Sequence, residues 1–263
     1  MFLESGGMPS GFQPNTPSRK GMQAMVREPT SLQKYLAELV GTFMLVWIGP
    51  GAGVVAGMLG VKGLADVLAI ALAFGIAVAG AIYVVGKISG CHINPAVTIA
   101  LASRKSFPWS QVVPYICAQL AGAVIASLLF VACMGVKAST SYSLGATVLS
   151  SGVTIPMGML GEAIGTFFLM ITIMGVAVDS RAPSGWAGWM IGMVVAGVII
   201  TLGPLTGSSI NPARTFGPYI GNLIFGGPCP WDQFLLVYCV GPIVGAVIAV
   251  FVYDFIAPQE ESA

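Results

Sequence analysis

Six apolar segments, each near the length that crosses a lipid bilayer, constrain this chain more than any other feature of its sequence. They lie near residues 33–58, 64–86, 109–135, 157–178, 187–205 and 233–256. Charged residues make up only 8% of the 263 residues, whereas about a quarter is usual for a soluble domain. A bilayer accounts for the shortage, because lipid-facing side chains need no charge and a charge in hydrocarbon is unfavourable. The sequence therefore predicts an all-α membrane protein.

The segments that flank the apolar region differ from it in composition. Residues 1–30 are rich in Gly, Pro, Ser and Gln, and they are predicted to form a disordered tail. Residues 31–256 form the predicted membrane domain, and residues 257–263 form a second short tail. The net charge of +1 gives no indication of a nucleic-acid partner.

Lys and Arg in short loops favour the cytoplasmic side of a membrane. If the N-terminus is cytoplasmic, that side carries Arg19, Lys20, Arg27, Lys34, Lys87, Arg104, Lys105 and Arg181. Only Lys62 and Lys137 then lie outside, while Arg214 falls in a loop within the membrane. This asymmetry predicts that both termini are cytoplasmic.

The two halves of the chain resemble each other three times, in the same order. The matching pairs are 38–43 with 162–167, 89–96 with 206–213, and 122–126 with 245–249, the last pair being identical in every letter. Repeat one covers about 33–135 and repeat two about 157–256. Because each repeat has three spans, an odd number, the second must enter the membrane from the opposite side. An inverted repeat of this kind places the functional site at the midplane, where the halves meet.

Two further apolar stretches are too short to span, and each begins with Asn-Pro-Ala. They predict half-helices that enter from opposite faces and meet end to end, with Asn94 and Asn211 at their N-caps. Pro95 and Pro212 suit the first helical turn, while Ala96 and Ala213 let the loops touch. Helix N-termini carry partial positive charge, so the two together would repel cations and orient water with its oxygen toward them.

The segments 89–98 and 207–218 resemble the two signature loops of the aquaporin family, and the likeness extends from about residue 38 to residue 254. The resemblance implies the aquaporin hourglass fold, with six transmembrane helices and two re-entrant half-helices. It also implies a homotetramer in the plasma membrane with one pore in each subunit.

The same resemblance implies which residues form the outer constriction of the pore. It assigns the selectivity filter to Phe74, Ile199, Ser208 and Arg214. Water-selective members usually have His at the position of Ile199, and glycerol facilitators usually have a second aromatic residue. The pattern is therefore intermediate and similar to that of archaeal-type aquaporins, which implies water conduction with weak leakage of glycerol.

The resemblance further implies that carbonyl groups on the approaches to the two half-helices accept hydrogen bonds from passing water. The pore-lining residues are then Gly90, Cys91, His92, Gly207, Ser208 and Ser209. Glu38 and Glu162, at equivalent positions of the two repeats, are predicted to hold these loops through hydrogen bonds rather than to carry protons.

Several alternatives remain open from the sequence. A glycerol or small-solute facilitator would use the same fold, and an ion-coupled secondary transporter would also have inverted repeats and broken helices. A junction-forming structural protein would need a blocked constriction. No nucleophile–base pair, metal-ligand spacing or cofactor motif indicates an enzyme.

Overall fold

The computed structural model describes residues 27–257, and within them six helices are long and apolar enough to span a bilayer. In chain order the helices are α1 (Ser31–Met58), α2 (Leu64–Ser89), α3 (Pro95–Ser103), α4 (Trp109–Met134), α5 (Ile155–Val178), α6 (Ala187–Thr206), α7 (Pro212–Phe225) and α8 (Trp231–Ile256). The two short helices, α3 and α7, are the predicted half-helices, so the predicted fold class is confirmed. Nearly all of the predicted tails, 1–30 and 257–263, lies outside the described residues.

Local sequence signals set the helix ends. α1 begins at Ser31 because Thr30 and Gln33 form a capping box, in which each side chain bonds the backbone of the other. α2 continues to Ser89, beyond the predicted end at 86, and stops where Gly90 adopts a left-handed φ of 88°. In the second half, Gly207 ends α6 in the same conformation, with a φ of 78°.

Helix packing follows the repeat. In the first repeat α1 packs on α2 and α4, and in the second repeat α5 packs on α6 and α8. The two halves contact each other where α2 packs on α6. Each half-helix packs on the third spanning helix of the other repeat: α3 on α8 and α7 on α4. The half-helices are therefore held between the halves of the protein, with their N-termini in its interior.

Close approach of the helices depends on small residues in the repeated Gly-Ala-Val-Ile-Ala motif. A Cβ atom at Gly122 would collide with the backbone oxygen of Leu39, and one at Gly245 would collide with that of Ala163. Both pairs join the first and third spanning helices of a repeat, so the repeated motif marks the tightest helix contact in each half.

Candidate functional site: two loops at a central cavity

The chain before each half-helix has an unusual backbone that is the same in both repeats. Left-handed φ angles occur in the first loop at Gly90, Cys91 and Ile93, and in the second loop at Gly207, Ser208 and Ile210. For residues other than Gly this conformation is strained by about 1–3 kcal/mol each, and it persists only where surrounding contacts enforce it. The loops must therefore be held from outside.

Glu38 on α1 holds the first loop. Its Oε1 accepts hydrogen bonds from the Ser89 hydroxyl at 2.7 Å and from the His92 N–H at 2.9 Å. Its Oε2 accepts from the Ile93 N–H at 2.7 Å and from the Gln119 side-chain amide at 2.8 Å. All four partners are donors, so both oxygens of this fully buried side chain act as acceptors.

Glu162 on α5 holds the second loop in the same way. Its Oε1 accepts from the Thr206 hydroxyl at 2.6 Å and from the Ser209 N–H at 2.9 Å, and its Oε2 accepts from the Ile210 N–H at 2.6 Å. The side chain is fully buried. Glu38 and Glu162 therefore make equivalent contacts in the two repeats.

The two half-helices are joined through their N-cap residues. The amide of Asn94 donates to the Ile210 carbonyl at 2.8 Å, and the amide of Asn211 donates to the Ile93 carbonyl at 2.8 Å. The side-chain oxygen of each Asn caps its own helix at the N–H of Ala96 or Ala213. One hydrogen of each amide is therefore bound to the opposite loop, which leaves one for the cavity.

A pair of buried tyrosines also supports the loops, and the sequence analysis missed them. Tyr115 donates to the Ser89 carbonyl at 2.9 Å, and Tyr238 donates to the Thr206 carbonyl at 2.8 Å. Each Tyr precedes the first Gly of the repeated Gly-Ala-Val-Ile-Ala motif by the same interval, so a signal was present in the sequence.

The loops and the inner faces of the helices enclose a cavity of about 330 Å³. Ten of the predicted site residues line it: Phe74, Gly90, Cys91, His92, Asn94, Ile199, Ser208, Ser209, Asn211 and Arg214. The rest of its wall is mainly aliphatic, including Val78, Leu169 and Val195, which the sequence analysis did not identify. Its lining along α2 runs from Phe74 to Ile82, which is about 12 Å at the α-helical rise of about 1.5 Å per residue.

The other predicted site residues do not line this cavity. Pro95 and Pro212 start their helices and are buried, as are the two following Ala residues. Gly207 lies instead on a second cavity of about 560 Å³, beside Arg214, which borders both cavities. Arg214 and Ile199 therefore lie between the central cavity and a larger second one.

The Arg214 side chain is fixed at this boundary and is only 4% exposed. Its Nη1 donates to the Gly145 carbonyl at 2.8 Å, and its guanidinium carbon lies 4.8 Å from the centre of the Phe74 ring. Its Nε and the Ser208 hydroxyl have no hydrogen-bond partner among residues 27–257. Both are buried polar atoms beside the cavity, where a small polar molecule would satisfy them.

His92 also lines the central cavity. Its Nδ1 is 3.2 Å from the Thr98 hydroxyl, and its ring packs against Phe107 and Tyr115 at centroid distances of 4.7 and 5.2 Å. Thr98 also accepts from the Gln119 amide at 3.0 Å, so the ring orientation is tied to the network around Glu38.

Two ion pairs lie near helix ends. Arg104, just after α3, binds Asp254 near the end of α8 at 2.7 Å. In the loop after α5, the Arg181 guanidinium beside Asp179 holds the pKa of that carboxyl well below its usual range, and the Tyr253 hydroxyl also donates to it. A depressed pKa means that this contact is present at neutral pH and is lost only as the pH falls through the lowered value.

The comparison with protein families identifies the family to which the chain belongs. The sequence model of the family described as "Major intrinsic protein" matches residues 25–253. The chain belongs to the major intrinsic protein family, the aquaporins. This confirms the resemblance seen in the two Asn-Pro-Ala loops.

Relatives and solved structures agree with this assignment. The chain is 50% identical over 244 residues to aquaporin AqpM of Methanothermobacter thermautotrophicus, covering 86% of this chain and 98% of that protein. It is 40% identical over 223 residues to glycerol uptake facilitator protein-like 6 of Lactiplantibacillus plantarum, covering 84% and 96% respectively. The X-ray structure of the aquaglyceroporin from Plasmodium falciparum matches with a TM-score of 0.74 at 27% identity, covering 86% of this chain and 97% of that one.

Proposed function

We propose that this aquaporin is a passive channel for water that also conducts glycerol weakly and excludes ions and protons. The observation that carries the proposal is the central cavity, in which two half-helix N-termini meet at Asn94 and Asn211 below a fixed Arg214. Relatives named as aquaporins and as a glycerol facilitator-like protein support the two parts of the proposal.

Water selectivity would arise where the half-helices meet. Each Asn amide retains one hydrogen for the cavity, and both donate to the oxygen of a passing water molecule. The partial positive charge of the two N-termini favours the same orientation. The hydrogens of that water molecule then point away along the pore in both directions, which interrupts a chain of hydrogen bonds that could conduct protons.

The outer constriction would select by size and polarity. Arg214 and Ser208 offer unpaired polar atoms, whereas Phe74 and Ile199 provide apolar walls. A fixed cation at this position repels cations and protons, and its free Nε donates to water or to a hydroxyl group. Because Ile199 offers no polar contact, the constriction suits a molecule that is partly apolar, and glycerol leakage follows.

A glycerol facilitator is the second candidate, favoured by the aliphatic wall of the cavity. An ion-coupled transporter is disfavoured by the state of the two buried acids. Glu38 and Glu162 are both engaged by donors from the loops, and neither lines the central cavity.

The proposal extends to assembly and location. We infer a homotetramer in the plasma membrane, with residues 31–256 as the channel domain and both termini cytoplasmic. Many large apolar side chains face outward from the helices, including Leu72, Ile76, Phe168, Leu235 and Phe251, and these suit contact with lipid or with neighbouring subunits. The role is that of a channel and not of an enzyme.

Stopped-flow light scattering on proteoliposomes tests the function. Vesicles containing the protein should shrink in a sucrose gradient much faster than empty vesicles, and they should re-swell in glycerol more slowly than they shrink. Phe74→Ala should raise the glycerol rate, since it removes the ring from the constriction. Shrinkage no faster than that of empty vesicles would refute the channel, and glycerol rates close to those of water would favour the facilitator.

A further inference from the structure

The backbone of α1 lies directly behind the Phe74 ring. A Cβ atom placed on Gly49 would lie 2.5 Å from Cε1, 2.6 Å from Cδ1 and 2.7 Å from Cζ of that ring. Carbon atoms in contact are normally about 3.5–4.0 Å apart. The ring therefore occupies the space that any side chain at position 49 would need.

The same ring faces Arg214 and lines the central cavity. It is 4% exposed, with the α1 backbone and the guanidinium as neighbours. A side chain at position 49 would displace the ring by about 1 Å to restore normal carbon contact, and the open direction is the cavity. Gly49 therefore sets how far Phe74 extends into the pore.

Pro50, the next residue, supports the second member of the constriction. Gly145 packs closely on the Pro50 backbone: a Cβ atom placed on Gly145 would collide with the Pro50 backbone oxygen. The carbonyl of Gly145 is the acceptor for Arg214 Nη1 at 2.8 Å. One dipeptide of α1 thus contacts both the aromatic ring and the anchor of the guanidinium.

The next glycine on this side of α1 lacks the close contact. Gly53, one turn further along the same helix, has Ile70 Cδ1 as its nearest side-chain neighbour, at 3.7 Å from a Cβ atom placed there. That distance is ordinary van der Waals contact. A Cβ atom is therefore tolerated at position 53, whereas at position 49 it would collide with the Phe74 ring.

We propose that Gly49 and Pro50, which line the second cavity and not the central one, form a backing segment that determines the width of the pore at Phe74 and Arg214. Gly49 is a positioning residue for Phe74, and Pro50 locates the Gly145 carbonyl that orients Arg214. The inference rests on the proposed role of Phe74 and Arg214 as the constriction. A larger residue at position 49 should narrow the channel and favour water over glycerol.

The test compares Gly49→Ala with the matched control Gly53→Ala, alone and combined with Phe74→Ala, in proteoliposomes. Both Gly→Ala changes raise helix propensity equally, so a difference between them reports the ring contact. Gly49→Ala should lower the glycerol-to-water permeability ratio by about fivefold or more, because the constriction excludes the larger solute first. Gly53→Ala should leave the ratio unchanged. In the Phe74→Ala background, Gly49→Ala should have no further effect.

The outcomes separate this inference from the proposed function. If Phe74→Ala alone leaves the glycerol-to-water ratio unchanged, the assignment of the constriction is wrong. If Phe74→Ala raises the ratio but Gly49→Ala behaves like Gly53→Ala, or keeps its effect without the ring, the inference about Gly49 is wrong. If Gly49→Ala fails to accumulate, the double variant decides: restored accumulation supports the ring contact, and continued failure contradicts it.

Discussion

Replacing Glu162 by Ala removes the acceptor that holds the second pore loop. The change leaves the N–H groups of Ser209 and Ile210 buried without partners, while the Thr206 hydroxyl can rotate toward another acceptor. An unsatisfied buried N–H costs about 1–3 kcal/mol, so the free energy of unfolding should fall by about 2–6 kcal/mol. Ser208 and Ile210 also hold left-handed φ angles of 46°, a strain that the lost bonds would no longer oppose.

The loop should therefore relax, and water permeability should fall with it. A shift of about 1.4 kcal/mol between the native and the relaxed loop changes their ratio about tenfold. The predicted loss exceeds that value, so the ratio of relaxed to native loop should rise by about tenfold or more, and water flow per molecule should fall as the relaxed loop becomes populated. Thermal unfolding of the purified protein in detergent and stopped-flow shrinkage of proteoliposomes measure the two effects.

Two controls sharpen this prediction. Glu162→Gln keeps one acceptor oxygen and the shape of the side chain, so its effects should be smaller. Glu28→Ala removes an exposed acid outside the loops and should change neither quantity. Glu38→Ala should reproduce the loss, because Glu38 makes the equivalent contacts in the first repeat. The reasoning is refuted if Glu162→Ala unfolds at the same temperature as the wild type and conducts water at the same rate.

Three further predictions follow from the packing, the constriction and the surface. Gly245→Ala should lower the unfolding temperature, since its Cβ would collide with a backbone oxygen of α5, whereas Gly197→Ala, with open space around it, should not. Ile199→His should lower glycerol permeability more than water permeability in proteoliposomes, because it narrows the constriction and adds a polar contact. Arg104→Ala should change the free energy of unfolding by only about 1 kcal/mol or less, because its ion pair with Asp254 is about one-third exposed.

The repeat explains why so much of the architecture could be predicted from the sequence. Polar residues in apolar surroundings have few physical alternatives, so a paired Asn-Pro-Ala and a paired Glu indicated buried caps and loop supports. The structure has Asn94 and Asn211 as reciprocal bridges and Glu38 and Glu162 as loop acceptors. The sequence did not indicate that each Asn amide would donate to the opposite loop.

Features that depend on contacts between distant parts of the chain were not predictable. The acceptor for Arg214 is the Gly145 carbonyl, which lies in the link between the repeats and has no counterpart in the other half. The contact of Gly49 with the Phe74 ring requires the relative placement of two helices at sub-ångström detail. Tyr115 and Tyr238 are a different case, because their equal spacing from the repeated motif was visible and only their hydrogen bonds were not.

The central claim is that water passes between Asn94 and Asn211 while protons do not, and one experiment measures both flows. Proteoliposomes loaded with a pH-sensitive dye are exposed first to a sucrose gradient and then to a pH gradient with the membrane potential held at zero. The account predicts rapid shrinkage relative to empty vesicles together with a proton leak equal to theirs. Rapid shrinkage accompanied by a proton leak well above that of empty vesicles would contradict it, because the half-helix N-termini would then fail to interrupt the water chain.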